Sequence, residues 1–390
     1  MMKKAINFIC YLRLLVLHGF FSALSRIVKK DRDLWLISER TVDACDNAWV
    51  FFRYLRAAHP EIPCAYVIDR RSPEYQKVRA VGRVIQPGSV AHWLAFAASP
   101  VKISTHIMGY APDRLRFTIL DRRLRLVKGK KVMLQHGVTG NMPDALRFPA
   151  ARLDLFVCST VPEYEMICRA FGHPDGVPQL VGMCRFDDLL APHETGRQIL
   201  IMPTWRTWLK DTDPDGFLQS DYYQRFQGLL ENERFLSILE AYDLKAVFYL
   251  HAMLQRFSPL FRSENERVEI RTHADGNVPA LLAGSRLLIT DYSSVHFDFA
   301  YMDKPVLYWQ FDEDAFYSMH YPRGQFDCRR DGFGPVFDTA DPGPLLDCLE
   351  AEAGDEMRNP SRYHEKARAC FSEKRGDHCE RTFRAIRALL

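Results

Sequence analysis

Leu288–Ile289–Thr290–Asp291–Tyr292–Ser293–Ser294–Val295–His296–Phe297–Asp298–Phe299–Ala300, or LITDYSSVHFDFA, reads as a strand, a turn and a helix in thirteen residues. The apolar run LLIT stops at Asp291. Two serines follow, and apolar residues then recur at helical spacing. A short, fully apolar strand feeding directly into a helix is the repeating unit of a parallel sheet covered on both faces.

The same alternation extends outward in both directions. Ahead of it lie ILIM (199–202), AVFYL (246–250) and VEIR (268–271), and after it PVLYW (305–309). The first half of the chain repeats the pattern with LWLIS (34–38), CAYVID (64–69), RVIQ (83–86), VKIST (101–105), KVMLQ (131–135), DLFVCS (154–159) and QLVGM (179–183). Between the first two runs, DNAWVFFRYLRAAH reads as a helix capped by Asp46 or Asn47. The expected fold is α/β, with two Rossmann-like domains joined near APHETGRQ (191–198). The expected division is residues 1–30, 31–192 and 193–390, the last ending in charged helices. A chain of 390 residues agrees, since one core rarely serves that length.

Composition narrows the function classes. Hydrophobic residues make up 47% and charged residues 26%, ordinary for a folded globule. Ten cysteines are scattered without a Cys-x-x-Cys pair, which fits neither a zinc site nor a disulfide framework and leaves buried thiols in a reducing compartment. The net charge of +3 is uneven: residues 1–30 carry six cations and no acid, and the remainder is slightly acidic. That argues against a nucleic-acid-binding body. The basic, apolar start AINFICYLRLLVLHGFFSALSRIVKK has no clear cleavage site, and Arg13 near its middle disfavours a spanning helix. It reads as a helix lying on an anionic membrane surface, against the alternative of an ordinary helix docked on the body.

In open parallel sheets, ligands bind beyond the carboxyl ends of the strands, where the strand order reverses. Thr204 and Arg206 follow ILIM, His251 follows AVFYL, and Asp291, Ser293 and Ser294 follow LLIT. His136 and Gly137 follow KVMLQ. One serine at such a turn commonly does no more than cap its helix. Two serines at a helix start, with a planar cation and a histidine at neighbouring strand ends, favour a phosphate site. His136, with a side-chain pKa near neutrality, is a natural general base. No G-x-S-x-G, G-x-x-x-x-G-K-[ST] or G-x-G-x-x-G motif occurs, which argues against a serine hydrolase, a P-loop enzyme and a dinucleotide enzyme. GFGPVF (332–337) is too short and proline-broken for a glycine-rich phosphate loop. No carboxylates cluster at metal-ligand spacing, so no tightly bound metal is expected, while Mg²⁺ loosely held on a nucleotide stays open.

Seven segments together carry a resemblance: ISER (37–40), DNAWVFFRYLR (46–56), LQHGVTG (134–140), MPTWR (202–206), YLHAML (249–254), ITDYSSVHFDFAYMDKPVLYW (289–309) and DGFGPV (331–336). In this order they resemble the CDP-glycerol glycerophosphotransferase family, the teichoic-acid and capsule polymerases and primases of GT-B-type fold. The resemblance implies transfer of glycerol phosphate from CDP-glycerol to an acceptor hydroxyl, with release of CMP. It implies His136 as catalytic base and Arg206, His251, Ser293 and Ser294 as the donor-phosphate group, with Thr204 contributing and Asp291 and Asp298 in support. It also implies a lipid-linked or polymeric acceptor and a peripheral place on the cytoplasmic membrane face. Many teichoic-acid members read Trp-His-Gly-Thr around the base, where this chain reads Gln135–His136–Gly137–Val138. The acceptor and the transferred polyol phosphate are therefore left open. Rival readings are a related transferase using CDP-ribitol or another CDP-linked alcohol, a GT-B glycosyltransferase using a nucleotide sugar, and a catalytically silent scaffold.

Overall fold

The computed structural model describes residues 2–140, 143–191, 196–272, 275, 278–358, 360–371 and 376–390. Its chain divides into two compact units. The first holds Met1–Val138, Met142–Asp188 and Arg375–Leu390, and the second holds Thr139–Asn141 and Leu189–Lys374. Part of the expected junction, residues 192–195, lies outside the described residues.

The first unit is built on seven strands: β1 (Trp35–Ser38), β2 (Cys64–Val67), β3 (Val84–Ile85), β4 (Val101–Ser104), β5 (Lys130–Met133), β6 (Leu155–Cys158) and β7 (Pro178–Leu180). They form one parallel sheet in the order β3-β2-β1-β4-β5-β6-β7. Successive residues of β1 show why its sequence is continuously apolar. Trp35 and Ile37 enter the core on one face of the sheet, and Leu36 enters the core on the other.

The second unit repeats the plan with β8 (Gln198–Ile201), β9 (Lys245–Tyr249), β10 (Val268–Arg271), β11 (Leu287–Thr290), β12 (Val306–Trp309) and β13 (Val336–Phe337). Its parallel sheet runs β10-β9-β8-β11-β12-β13. In each sheet the chain works outward from a central strand, returns, and continues on its other side. The reversal falls between β1 and β4 in the first unit and between β8 and β11 in the second.

Every apolar run picked out in the sequence corresponds to a strand, and the structure adds β13. That strand lies inside GFGPVF, which reads as a turn because of its glycines and Pro335. They precede the strand itself, which lies at the sheet edge and pairs with β12. Gly334 is there for closeness: a Cβ at this position would stand 1.6 Å from the Val306 carbonyl oxygen.

The chain's last helix, His378–Arg387, packs with the first unit, where the sequence reading assigned everything after 192 to the second domain. The physical reason is its buried stripe, in which Cys379, Ala385 and Ile386 join the same core as Trp35 and Ile37. Its start is fixed by Asp187, whose carboxylate accepts the backbone N–H of His378 at 2.9 Å and of Cys379 at 2.8 Å.

The N-terminal helix, Met2–Val28, has two apolar faces. Leu14 and Phe21 are buried with Leu36, Trp93 and Phe117, and His18 meets the Leu126 carbonyl through Nε2 at 3.2 Å. Ile9, Leu12, Val16, Phe20 and Ile27 are exposed. Its segment Ile9–Val28, of mean hydropathy 1.3, is long and apolar enough to cross a membrane by length and composition alone.

Asp187→Ala removes the cap of the last helix and should cost about 1–2 kcal/mol. Hydrogen exchange should show faster exchange concentrated in residues 378–387. Unchanged protection there would mean that packing alone holds the helix.

Candidate functional site

In the first unit, the ends of β1, β4 and β5 carry a closely tied polar group. The Glu39 carboxylate, just past β1, accepts backbone N–H groups of Cys45, Asp46 and Trp49 at 3.0, 2.9 and 2.8 Å. Three donors at the start of the helix Asn47–Ala58 are thereby satisfied from the strand end. Asp46 is the cap of that helix, as its sequence indicates, and accepts the Asn47 N–H. Asn47, fully buried, donates through Nδ2 to the Gln135 carbonyl at 2.8 Å and accepts the Arg185 N–H on Oδ1 at 3.0 Å.

Gln135 has φ of +60°, the left-handed region that a non-glycine residue enters at a cost. Its side chain pays back in contacts, with Nε2 donating to the Val157 carbonyl at 2.7 Å and to Glu163 Oε1 at 2.9 Å. Arg185 Nη1 donates to the His136 carbonyl at 2.9 Å and to Asp46 Oδ1 at 2.8 Å. The backbone at His136 is therefore held from both sides.

The His136 side chain reaches solvent, yet the surrounding protein is dense enough that desolvation holds its pKa below the ordinary histidine value. Arg185 and Arg40 push the same way, while Asp46 and a hydrogen bond to the Thr105 backbone carbonyl oppose them. In the neutral ring one nitrogen keeps a lone pair for accepting a proton. The ring stacks on His106, with centroids 4.6 Å apart and planes 7° apart.

In the second unit, Arg206 sits at the centre of the strand-end group. It is fully buried, as is Asp291. Its Nη2 pairs with Asp291 Oδ2 at 2.8 Å, and Nε and Nη2 grip Asp312 at 2.7 and 2.9 Å. Its Nη1 donates to the Thr204 carbonyl at 2.7 Å. Tyr222, Tyr292 and Phe316 surround the guanidinium at 5.2, 5.2 and 5.0 Å from their ring centroids. Burial works against its charge, but Asp291 and Asp312 hold its pKa above the usual arginine value. Burial also raises the Asp291 carboxyl, against the pull of Arg206.

This revises one expectation. The two-pronged face of Arg206, read in the sequence as free for a donor phosphate, is engaged by Asp312. Arg206 instead fixes the turns that follow β8 and β11. Asp291 completes the link by accepting the N–H groups of Thr204 at 2.7 Å and Tyr292 at 2.5 Å.

The other expected residues are placed as follows. Thr204 is buried, and its Oγ1 has no hydrogen-bond partner among the described residues. Ser293 is half-buried and Ser294 exposed, directly ahead of the helix Val295–Tyr301. The Ser294 hydroxyl does not cap that helix. Asp298 is buried within it. His251 follows β9, and its Nδ1 accepts the Met253 N–H at 3.3 Å, so the neutral ring carries its proton on Nε2. Trp205 lies between His251 and His320, at 6.1 and 4.6 Å between ring centroids.

Sequence reasoning passed over Asp312, His320 and Tyr222 in this unit, and His106 and Arg185 in the other, and read Asn47 only as an alternative helix cap. Asp312 and His106 were within reach of the same rule, since they follow β12 and β4. Nothing local marks Asn47 or Arg185 as supports of a histidine far along the chain. Among the described residues, no three His, Cys, Asp or Glu side chains are grouped to hold a metal ion.

Arg206→Met should destabilise the protein by about 3–5 kcal/mol, because it leaves Asp291 buried beside a second carboxylate without a counter-charge. Arg206→Lys keeps the charge, loses the fork, and should fall between. Urea unfolding midpoints read both. A midpoint unchanged in Arg206→Met would refute the structural role.

The sequence model of the CDP-glycerol:poly(glycerophosphate) glycerophosphotransferases matches residues 20–388. The minor teichoic acid biosynthesis protein GgaB of Bacillus subtilis (strain 168) is 27% identical over 383 residues, covering 95% of this chain and 41% of GgaB. The chain thus spans about two-fifths of that relative's length. The teichoic acid glycerol-phosphate primase of Bacillus spizizenii (strain ATCC 23059 / NRRL B-14472 / W23) is 38% identical over 79 residues, 19% of this chain and 20% of the primase. The wall teichoic acid polymerase TagF has the same GT-B-like fold, with a TM-score of 0.67 at 15% identity over 100% of this chain and 98% of that structure. By the match across nearly its whole length, this chain belongs to the CDP-glycerol:poly(glycerophosphate) glycerophosphotransferase family.

Proposed function

We propose that this protein transfers glycerol phosphate from CDP-glycerol to a hydroxyl of a lipid-linked or growing teichoic-acid-type polymer, releasing CMP. The observation that carries this reading is His136, its carbonyl held by Arg185 and its ring stacked on His106, in a chain of this family.

His136 removes the proton of the acceptor hydroxyl as its oxygen bonds to the β-phosphorus of CDP-glycerol. The bond from that phosphorus to the bridging oxygen breaks, and CMP leaves with the electron pair. Phosphoryl transfer depends mainly on positioning and on meeting the developing charge. The Ser293 and Ser294 hydroxyls, the unpartnered Thr204 hydroxyl and His251 Nε2–H are the donors for the phosphoryl oxygens. Arg206 and Asp291 act one step removed, by fixing the turns that present them, with Asp298 in the helix behind.

The test is acceptor-dependent CMP release by the purified protein. His136→Ala should lose about 10²–10⁴-fold in turnover with donor binding kept. Ser294→Ala should raise the donor KM. A base must be neutral to act and loses function as pH falls through its pKa. Because burial lowers that pKa, the acid limb of kcat/KM should lie below the ordinary histidine value of 6.5. Full activity in His136→Ala removes the base assignment. Turnover with CDP-ribitol or a nucleotide sugar, but not with CDP-glycerol, changes the donor.

We also infer that the N-terminal helix meets an anionic membrane surface at the cytoplasmic face. Its outer face is apolar, with Val16 63% and Phe20 58% exposed. The helix Arg114–Leu124, reached by His18 through Phe117, exposes Leu115, Ile119 and Leu124 beside Arg122 and Arg123. Apolar side chains edged by cations suit an interface rich in anionic headgroups. Each such side chain taken from water is worth about 1.5–3 kcal/mol. Leu12→Ser, Val16→Ser and Phe20→Ser together should weaken binding to phosphatidylglycerol vesicles by about a hundredfold or more. Equal co-sedimentation of wild type and variant would sink the inference.

A further inference from the structure

We propose that His106 is a positioning residue for proton transfer at His136, a role that rests on reading His136 as the base. β4 and β5 are paired neighbours, with Ser104 opposite Met133, so the residues just past them emerge side by side. The two imidazoles lie face to face, 4.6 Å between centroids and 7° from parallel.

Thr105 holds the His106 ring, its hydroxyl meeting Nδ1 at 2.8 Å. The loop that carries His106 is tightly folded. The His106 N–H donates to Ser104 Oγ at 3.2 Å, and Met108 has φ of +57°. A Cβ on Gly109 would stand 2.1 Å from Ser104 Oγ and 2.9 Å from the Glu39 carbonyl oxygen. His106 is therefore a fixed plate, and His136 cannot turn its ring without leaving it.

Burial keeps the plate neutral. Burial pushes the His106 pKa down to about 3, and His136, Arg114 and Arg40 add to the effect. Around His136 itself, Arg40 follows β1, Asp46 caps the Asn47–Ala58 helix, and Arg185 opens the Arg185–Leu189 helix. A neutral ring on one face of His136 restricts its rotation and excludes water from that face. It carries no proton of its own in the reaction.

The experiment compares His106→Ala, His106→Phe and His136→Ala in CMP release, with NMR titration of the His136 ring in each folded protein that retains it. His106→Ala should lower kcat about 10–100-fold, the scale set by a misplaced reacting group. Donor KM should stay unchanged, and the His136 titration should move up toward the ordinary value. His106→Phe restores a flat neutral ring and should recover most of kcat. Thr105→Val, which removes the hydroxyl but keeps the carbonyl, should fall between and serves if His106→Ala does not fold. Wild-type kcat and titration in His106→Ala would overturn the proposal. Loss in His106→Phe as deep as in His106→Ala would also overturn it, because the ring nitrogens would then be required. Activity surviving in His136→Ala would instead remove the base reading, while the titration shift would still report on the stack.

Discussion

A fully buried arginine between two carboxylates governs the second unit. Arg206 lies where the strand order reverses, and the turns after β8, β11 and β12 all close on it. Burying such a charge is unfavourable unless its partners are complete. Here Asp291, Asp312 and the Thr204 carbonyl complete them, and three aromatic rings shield the cluster. The result is a rigid seat from which Thr204, Ser293 and Ser294 extend. The Thr204 hydroxyl has no hydrogen-bond partner among the described residues.

The first unit meets the same topological problem with different chemistry. Its strand ends are joined by Glu39 receiving three backbone N–H groups and by Asn47 bridging Gln135 and Arg185. The left-handed backbone at Gln135 re-aims the chain just before His136. Strain at that point persists because buried hydrogen bonds on both sides over-determine it. The contrast lies in the partners: a buried cation closed by carboxylates in the second unit, and a carboxylate and an amide closed by backbone N–H and carbonyl groups in the first.

Much of this was legible from the sequence. The continuous apolar runs located the strands, because a sheet buried on both faces leaves no room for alternation. The rule that ligands gather at strand ends picked out Thr204, His251, Ser293, Ser294 and His136. It failed on roles. Arg206 looked free because Asp312, which takes its fork, lies 106 residues away along the chain. His106 went unremarked because its meaning depends on a ring brought beside it by the pairing of β4 with β5. The strand β13 was hidden by its length of two residues and by the glycines and the proline just before it.

The sequence by itself determined the α/β class, the two parallel sheets and the polar residue types at their strand ends. Those features are local: periodicity, turn residues and caps act over a few residues, and the chain states them directly. Tertiary structure decided which polar groups hold a neighbour, and it returned the last helix to the first unit. Those choices depend on distances between residues far apart in the chain, and on the rule that each buried charge or N–H must find a partner. That matching is settled only when the sheets have formed and the strand ends have met.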